Sequence, residues 1–268
     1  MSALALHPTA QIHKSAIIAE TASVGAFSVI GPSVSIGDNC SIGPHVVIEG
    51  NTRLGENCQV HAFSVLGGEP QIQGSNTADG RLEIGADCII REHVTIHRGS
   101  EDGRGFTRIG AGGYFMVGAH IAHDCVVGEH CVFANRSTLG GHVTIGANVW
   151  LGGHSAVHQS CEVGRGAFIG GGAKQVSDVV PFGMTLGDRA SLRGLNLRGM
   201  KRQGIPRASI HALRAAYQTL SETNMAFNDR LKALEQQSLD APLVAEWVQF
   251  LKSDRKRPLC LPEKARRS

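Results

Sequence analysis

Aromatic residues make up only 5% of this 268-residue chain, so its core is not built from large rings. Charge is not extreme either: a net charge of +3 lacks the strongly basic footprint of a nucleic-acid binder. The sequence contains no run of about 18 apolar residues, which excludes a membrane-spanning helix. Its start, from Met1 to Pro8, lacks the basic n-region and apolar stretch of a secretory signal. These absences point to a cytoplasmic protein with no nucleic-acid partner and no integral membrane segment. The seven cysteines include no Cys-x-x-Cys spacing, which removes the common zinc-ribbon and redox patterns. The basic clusters Lys201-Arg202, Arg255-Lys256-Arg257 and 264–267 read as solvated surface or as a landing place for an acidic protein.

Glycine, by contrast, is plentiful: 34 residues, against a usual share of roughly 7%. The glycines fall within a strict period of six. Aliphatic anchors recur at Ile12, Ile18, Val24, Ile30, Ile36, Ile42, Ile48, Leu54, Val60 and Leu66. They resume at Ile84, Ile90 and Ile96, and again from Ile109 through Phe115, Ile121 and Val127 to Ile169. Neither an amphipathic helix nor a hairpin produces this spacing; a hexapeptide parallel β-helix does, with three short strands per coil. Glycine after the anchor is expected to mark a corner with unusual backbone angles. Cys40, Cys58, Cys88, Cys125, Cys131 and Cys161 each lie four residues after an anchor, in a small inward slot, and read as core residues. Cys260 reads as an incidental thiol of the tail.

A coil of about 18 residues puts units three apart on one face. The hexads beginning at 121, 139 and 157 then align with those at 96 and 66. Both register breaks, about 72–83 and 102–108, leave the helix from that face, where excursions are usually functional or disordered. The face gathers His97, His123, His142, His158 and Gln159, with His123 and Gln159 about 10 Å apart two coils away from each other. Past Ile169 the repeat stops. Residues 178–181 read as a linker between a β-helix domain over 1–180 and a helical domain over 181–268. Segments near 193–203, 207–222, 224–237 and 241–252 carry helical apolar stripes, expected to cap the cleft.

The segments Ile96-His97-Arg98-Gly99, Ala119-His120-Ile121-Ala122-His123-Asp124-Cys125, Gly140-Gly141-His142-Val143 and Ala156-Val157-His158-Gln159 resemble those of the UDP-N-acetylglucosamine acyltransferases that begin lipid A synthesis. Asn196 and Gly199-Met200-Lys201-Arg202 extend the resemblance into the helical region. It implies a mainly β protein: a left-handed parallel β-helix with a C-terminal α-helical domain, assembled as a homotrimer with sites between subunits. It implies transfer of a 3-hydroxyacyl chain from acyl carrier protein to the 3-hydroxyl of a nucleotide sugar. The carrier's phosphopantetheine thioester is the donor, and no resident cofactor or metal is implied. By the same resemblance His123 is the general base, suited by a reference pKa of about 6.5, with Asp124 beside it. Gly141 supplies a backbone N–H to the oxyanion. His97, His120, His142, His158, Gln159, Asn196 and Arg202 match substrate-contact positions, and Gly171 matches the floor of the acyl groove.

The chain departs from the family where the acceptor is recognised. Ile72 and Gly74 stand where the first loop usually carries Asp and Lys, Arg198 replaces a Glu, Arg189 a His, and Gln203 an Arg. Asp79 is a candidate to compensate. Acyl transfer to a different or amino-sugar acceptor stays open. So do a zinc trimer of the γ-carbonic-anhydrase kind, using His120 and His123 with His97 or His142, and a non-catalytic scaffold.

Overall fold

A computed structural model describes residues 6–74 and 80–262. Asp79 and the basic tail at 264–267 lie outside the described residues. Among those described, no helix is long and apolar enough to cross a membrane. Among the described residues the period of six becomes three sheets of nine, eight and ten strands, most of them two residues long. Each strand of the repeat pairs in parallel with the strand three units on, and the ten strands of the third sheet include a closing hairpin. The first sheet runs from Gln11–Ile12 to Lys174–Gln175, the second from Ile17–Ile18 to Glu162–Val163, and the third from Ser23–Val24 upward. Together they form a left-handed triangular β-helix. The anchors fill its axis: Ile48, Leu66, Ile96, Phe115, Ile121 and Leu139 are fully buried. Six cysteines share that interior. Their thiols donate to carbonyls of the next coil, as Cys125 does to Gly140 O and Cys131 to Gly146 O. Ser28 Oγ fills the equivalent slot and donates to Gly43 O in the same way.

The corner geometry differs from the expectation in one respect. Positive φ belongs to the third residue after the anchor, not to the glycine directly after it: Asn39, His93, Asp124, His142 and Ser160 all lie between 56° and 63°. The glycine after the anchor is required by close stacking of coils. A Cβ on Gly85 would lie 2.6 Å from Ala111 N.

Both register breaks fall at the corner between the first and second sheets. The second sheet's strands there are longer than the period predicts, Arg81–Ile84 and Phe106–Ile109. The insertions therefore occupy 69–80 and 98–105, earlier than expected, because the strand that follows each begins sooner.

The helix closes with a hairpin, Gly183–Leu186 against Ser191–Leu195, so residues 193–195 are strand where the helical pattern was expected. Four α-helices follow: α1 (Leu197–Arg202), α2 (Arg207–Ser221), α3 (Phe227–Ser238) and α4 (Pro242–Lys252). They dock through Trp247, fully buried, whose Nε1–H donates to Pro181 O at 2.7 Å. Arg165 makes a paired contact with Glu246 at 2.7 Å through Nε and Nη2. Residues 178–181 are buried and are not a free linker. Asp178 N–H donates to Pro258 O at 2.8 Å and Cys260 N–H to Asp178 O at 2.7 Å. Cys260 is consequently 3% exposed and part of the core, not an incidental tail thiol.

Candidate active site

His123 and Asp124 occupy the turn between His120–Ile121 of the first sheet and Val126–Val127 of the second. One coil further, Gly141 and His142 hold the same two places, and after another coil Gln159 and Ser160 do. Asp124, at φ 60°, turns its carboxylate back under the corner, where it is fully buried. A buried carboxylate requires partners, and it has four. Oδ2 accepts from Ser100 Oγ at 2.6 Å and from His123 Nδ1 at 2.7 Å. Oδ1 accepts from Arg104 N–H at 2.7 Å, and Ser100 N–H lies 3.2 Å from both oxygens. Burial alone would raise this carboxyl, but Ser100, His123 and Arg104 together hold it below the usual range. Asp124 is therefore ionised at neutral pH. It fixes the His123 tautomer with the proton on Nδ1 and the lone pair on Nε2.

Nε2 lies over Gly141. A Cβ there would sit 2.7 Å from Nε2 and 2.6 Å from Cε1, so only glycine leaves room for the ring. Nothing among the described residues accepts the Gly141 N–H, which is free to donate to an outside oxygen. The His142 ring stands edge-on to His123, centroids 5.0 Å apart at 90°, and burial, opposed by Asp124, holds it below the usual imidazole range. On the adjoining first-sheet face, His120 Nδ1 lies 2.7 Å from Thr95 Oγ1, and burial lowers its pKa. His97, expected on the outside, is 9% exposed. A strand irregularity between Leu66 and Gly68 lies beside it. His97 meets His120 edge-on at 5.2 Å. Burial, then the charges of His120 and His123, push its pKa down to about 4.

His158 and Gln159 are exposed at the same corner. The carbonyl of Gln159 accepts from Arg257 Nε at 2.9 Å, so the chain's last described segment reaches the site. A cleft of about 360 Å³ opens beside His142, between Asp102, Gly103 and Arg104 of the second insertion and Asp254, Arg255 and Lys256. The sequence places the second insertion on this face and marks the basic run 255–257 only as surface or a landing place for an acidic protein. It does not bring the two together as the walls of one cleft. The register break was the available signal for the first, and the basic run at 255–257 for the second.

Three expected residues are not brought to His123 within one chain. Arg202 lies on the third sheet's side, its guanidinium 5.1 Å from the Trp150 ring centroid. There it lines a 660 Å³ apolar groove with Phe168, Met184 and Arg198. Gly171 sits exposed at the corner between the third and first sheets, where a Cβ would make only ordinary contact with Gly153, 3.4 Å from its carbonyl oxygen. Asn196 is buried and committed to the fold. Its Oδ1 caps α1 at Gly199 N–H and its Nδ2 donates to Gly166 O, each at 2.9 Å. Of the departures from the family pattern, Ile72 and Gly74 are on the first insertion, where Gly74 has φ 78° and a Cβ on it would meet nothing within 4 Å. Arg189 is exposed on the closing hairpin, and Gln203 is the C-cap of α1.

His123, Asp124 and His142 offer ligand atoms within 4.8 Å of one another. A cation there would have to displace the donors already on Asp124 and take the carboxylate from His123 Nδ1. The donor set does not fit a metal.

Comparison with known proteins agrees along the chain. The bacterial transferase hexapeptide family matches residues 15–50 and 33–68. The second domain of UDP N-acetylglucosamine O-acyltransferases matches residues 178–260. A relative from Bartonella henselae, named an acyl-[acyl-carrier-protein]–UDP-N-acetylglucosamine O-acyltransferase, is 43% identical, covering 98% of this chain and 96% of its own. A namesake from Bartonella tribocorum is 44% identical over 98% and 97%. Among solved structures, the UDP-N-acetylglucosamine O-acyltransferase of Moraxella catarrhalis superposes with a TM-score of 0.92. It is 37% identical and covers 96% of this chain and 100% of the other.

Proposed function

The chain belongs to the acyl-[acyl-carrier-protein]–UDP-N-acetylglucosamine O-acyltransferase family, and from that premise we propose how its corner site performs the reaction. The enzyme transfers an acyl chain from acyl carrier protein to UDP-N-acetylglucosamine, the first step of lipid A biosynthesis. The observation that carries the mechanism is the ionised, buried Asp124 holding His123 Nδ1–H, with Nε2 turned out over Gly141.

Nε2 takes the proton of the sugar 3-hydroxyl as its oxygen bonds to the thioester carbonyl carbon. The carbonyl oxygen becomes an oxyanion and accepts the Gly141 N–H, a fixed dipole already in place. Collapse breaks the carbon–sulfur bond. The proton on Nε2 passes to the departing pantetheine thiolate, and the ester and free thiol leave. His142, edge-on to His123 and half-exposed, and His120, His158 and Gln159 surround the space where the acceptor sits. The thioester brings its own activation, so the chemistry needs no resident cofactor, and a cytoplasmic location follows from where carrier protein is loaded.

A homotrimer completes the site. His123 is at the first–second corner of the triangle, while Arg202, Gly171 and the apolar groove with Trp150 and Phe168 belong to the third sheet's side. A neighbour's third sheet laid against the corner unites a base with an acyl groove and a cation, and three-fold closure does this three times.

The acceptor is the part of this reading most exposed to the sequence departures. Ile72, Gly74 and Arg198 replace two acidic residues and a lysine. The test is mass spectrometry of products formed from a mixed pool of nucleotide sugars and 3-hydroxyacyl carrier proteins. Acylated UDP-N-acetylglucosamine is the expected product. A product found only on another sugar, or one stable to mild alkali as an amide is, would overturn the acceptor assignment.

A further inference from the structure

The proposed mechanism rests on Asp124, yet Asp124 stands at a left-handed corner position that elsewhere in this helix holds residues as different as Asn39, His93, Arg136 and Ser160. The corner itself does not dictate where the carboxylate points. The second insertion does. Residues 98–105 fold back over the corner so closely that a Cβ on Gly103 would lie 2.4 Å from Asp124 Oδ2. Ser100 is 1% exposed. Its hydroxyl donates to the oxygen that receives His123 Nδ1–H, and its N–H bridges both oxygens. Arg104 N–H holds the other oxygen, and the Arg104 guanidinium ties the loop down at Asp124 O (3.1 Å) and Thr144 Oγ1 (2.9 Å).

We propose that Ser100 is a positioning residue for acyl transfer, fixing the Asp124 carboxylate so that His123 presents Nε2 to the acceptor hydroxyl. This assigns the second insertion a role in the reaction: it is the roof of the His123–Asp124 pair. Ser100 touches no substrate and acts only through Asp124. Every donor other than His123 on that carboxylate comes from this one loop, so the geometry of the pair is set from 20 to 24 residues upstream. Ser100 supplies the only side-chain hydroxyl among them. The inference depends on His123 being the base, and its test is built to separate the two claims.

The test is a kinetic cycle on the full-length enzyme with 3-hydroxyacyl carrier protein and UDP-N-acetylglucosamine. Ser100→Ala is expected to lower kcat by about 10- to 100-fold, the size of one lost charge-assisted hydrogen bond. KM for both substrates should stay within about 3-fold, since Ser100 contacts neither. Ser100→Thr, which keeps the hydroxyl, should recover most of kcat. In an Asp124→Asn background, Ser100→Ala should change kcat by less than about 2-fold, because coupled residues are non-additive. Ser100→Ala with wild-type kcat overturns the proposal. So does an equal loss with and without Asp124, which would mark a purely structural role even if the variant is less stable. An active wild type and an inactive His123→Ala, beside an unaffected Ser100→Ala, would refute only this inference. An inactive wild type would refute the acyl-transfer reading and leave Ser100 no reaction to serve.

Discussion

Gly141→Ala isolates the contact between the imidazole and the next coil. Gly141 has no left-handed φ, so alanine takes its backbone without strain, and the effect is steric. The new Cβ would stand 2.6 Å from His123 Cε1, against an ordinary carbon–carbon contact of about 3.5–4.0 Å. The ring must therefore move by roughly 1 Å. One side is closed by His142, whose ring centroid is 5.0 Å away, so the movement is taken from the 2.7 Å bond to Asp124. A hydrogen bond to a charged group is worth about 1.5–3 kcal/mol, or roughly 10- to 150-fold in rate. A 1 Å misplacement of a reacting group alone costs about 10²-fold. We expect kcat to fall by about 100-fold while the melting temperature stays within a few degrees of wild type. Steady-state turnover against both substrates measures it, with thermal unfolding alongside. A Gly141→Ala enzyme within 2-fold of wild type would refute the placement of Nε2 over this residue.

Three further outcomes follow from the geometry. His97 is held neutral with a pKa near 4. The unfolded chain takes up a proton near pH 6.5 that the folded chain refuses, so stability is lost as pH falls from about 6.5 to about 4, by up to ~3 kcal/mol. His97→Gln should flatten that part of the melting-temperature profile, and an unchanged slope would remove His97 as its source. Trp247→Ala should cost about 3–5 kcal/mol in denaturant unfolding, because it empties a fully buried site and leaves Pro181 O without its donor; a loss below ~1 kcal/mol would contradict the docking described. Burial pushes the Cys125, Cys131 and Cys161 thiols to about 12, so thiol reagents should modify them only on unfolding. Rapid labelling of these three in the native protein would contradict the coil interior.

The β-helix was legible because its contacts repeat: every anchor from Ile12 to Ile169 makes the same packing, and period alone reveals it. The corner that carries both insertions was legible for the same reason, by counting hexads from His123 back to Leu66. What counting could not supply was the strand length at Arg81–Ile84 and Phe106–Ile109, which moved both insertions earlier. Nor could it supply the bonds of Ser100 and Arg104 to Asp124, which join a loop to a coil across 20 to 24 residues and leave no periodic trace. His97 looked exposed by its place in the hexad, yet it is covered, packed against His120 beside a strand irregularity. Asn196 looked like a ligand and is a helix cap: an Asn three residues before a helical Gly199 N–H was the signal available. Residues 178–181 looked like a linker because they carry no hexad, while their partners Pro258 and Cys260 come from the far end of the chain.

The central claim is that the lone pair on His123 Nε2, held there by Asp124, drives acyl transfer to a nucleotide sugar. Turnover of 3-hydroxyacyl carrier protein and UDP-N-acetylglucosamine by His123→Ala, compared with wild type in the same assay, tests it most directly. General-base catalysis is worth about 10²–10⁴-fold, so the account predicts a loss of kcat in that range in a protein that still folds and still binds carrier protein. A His123→Ala enzyme that acylates the sugar at the wild-type rate would contradict it.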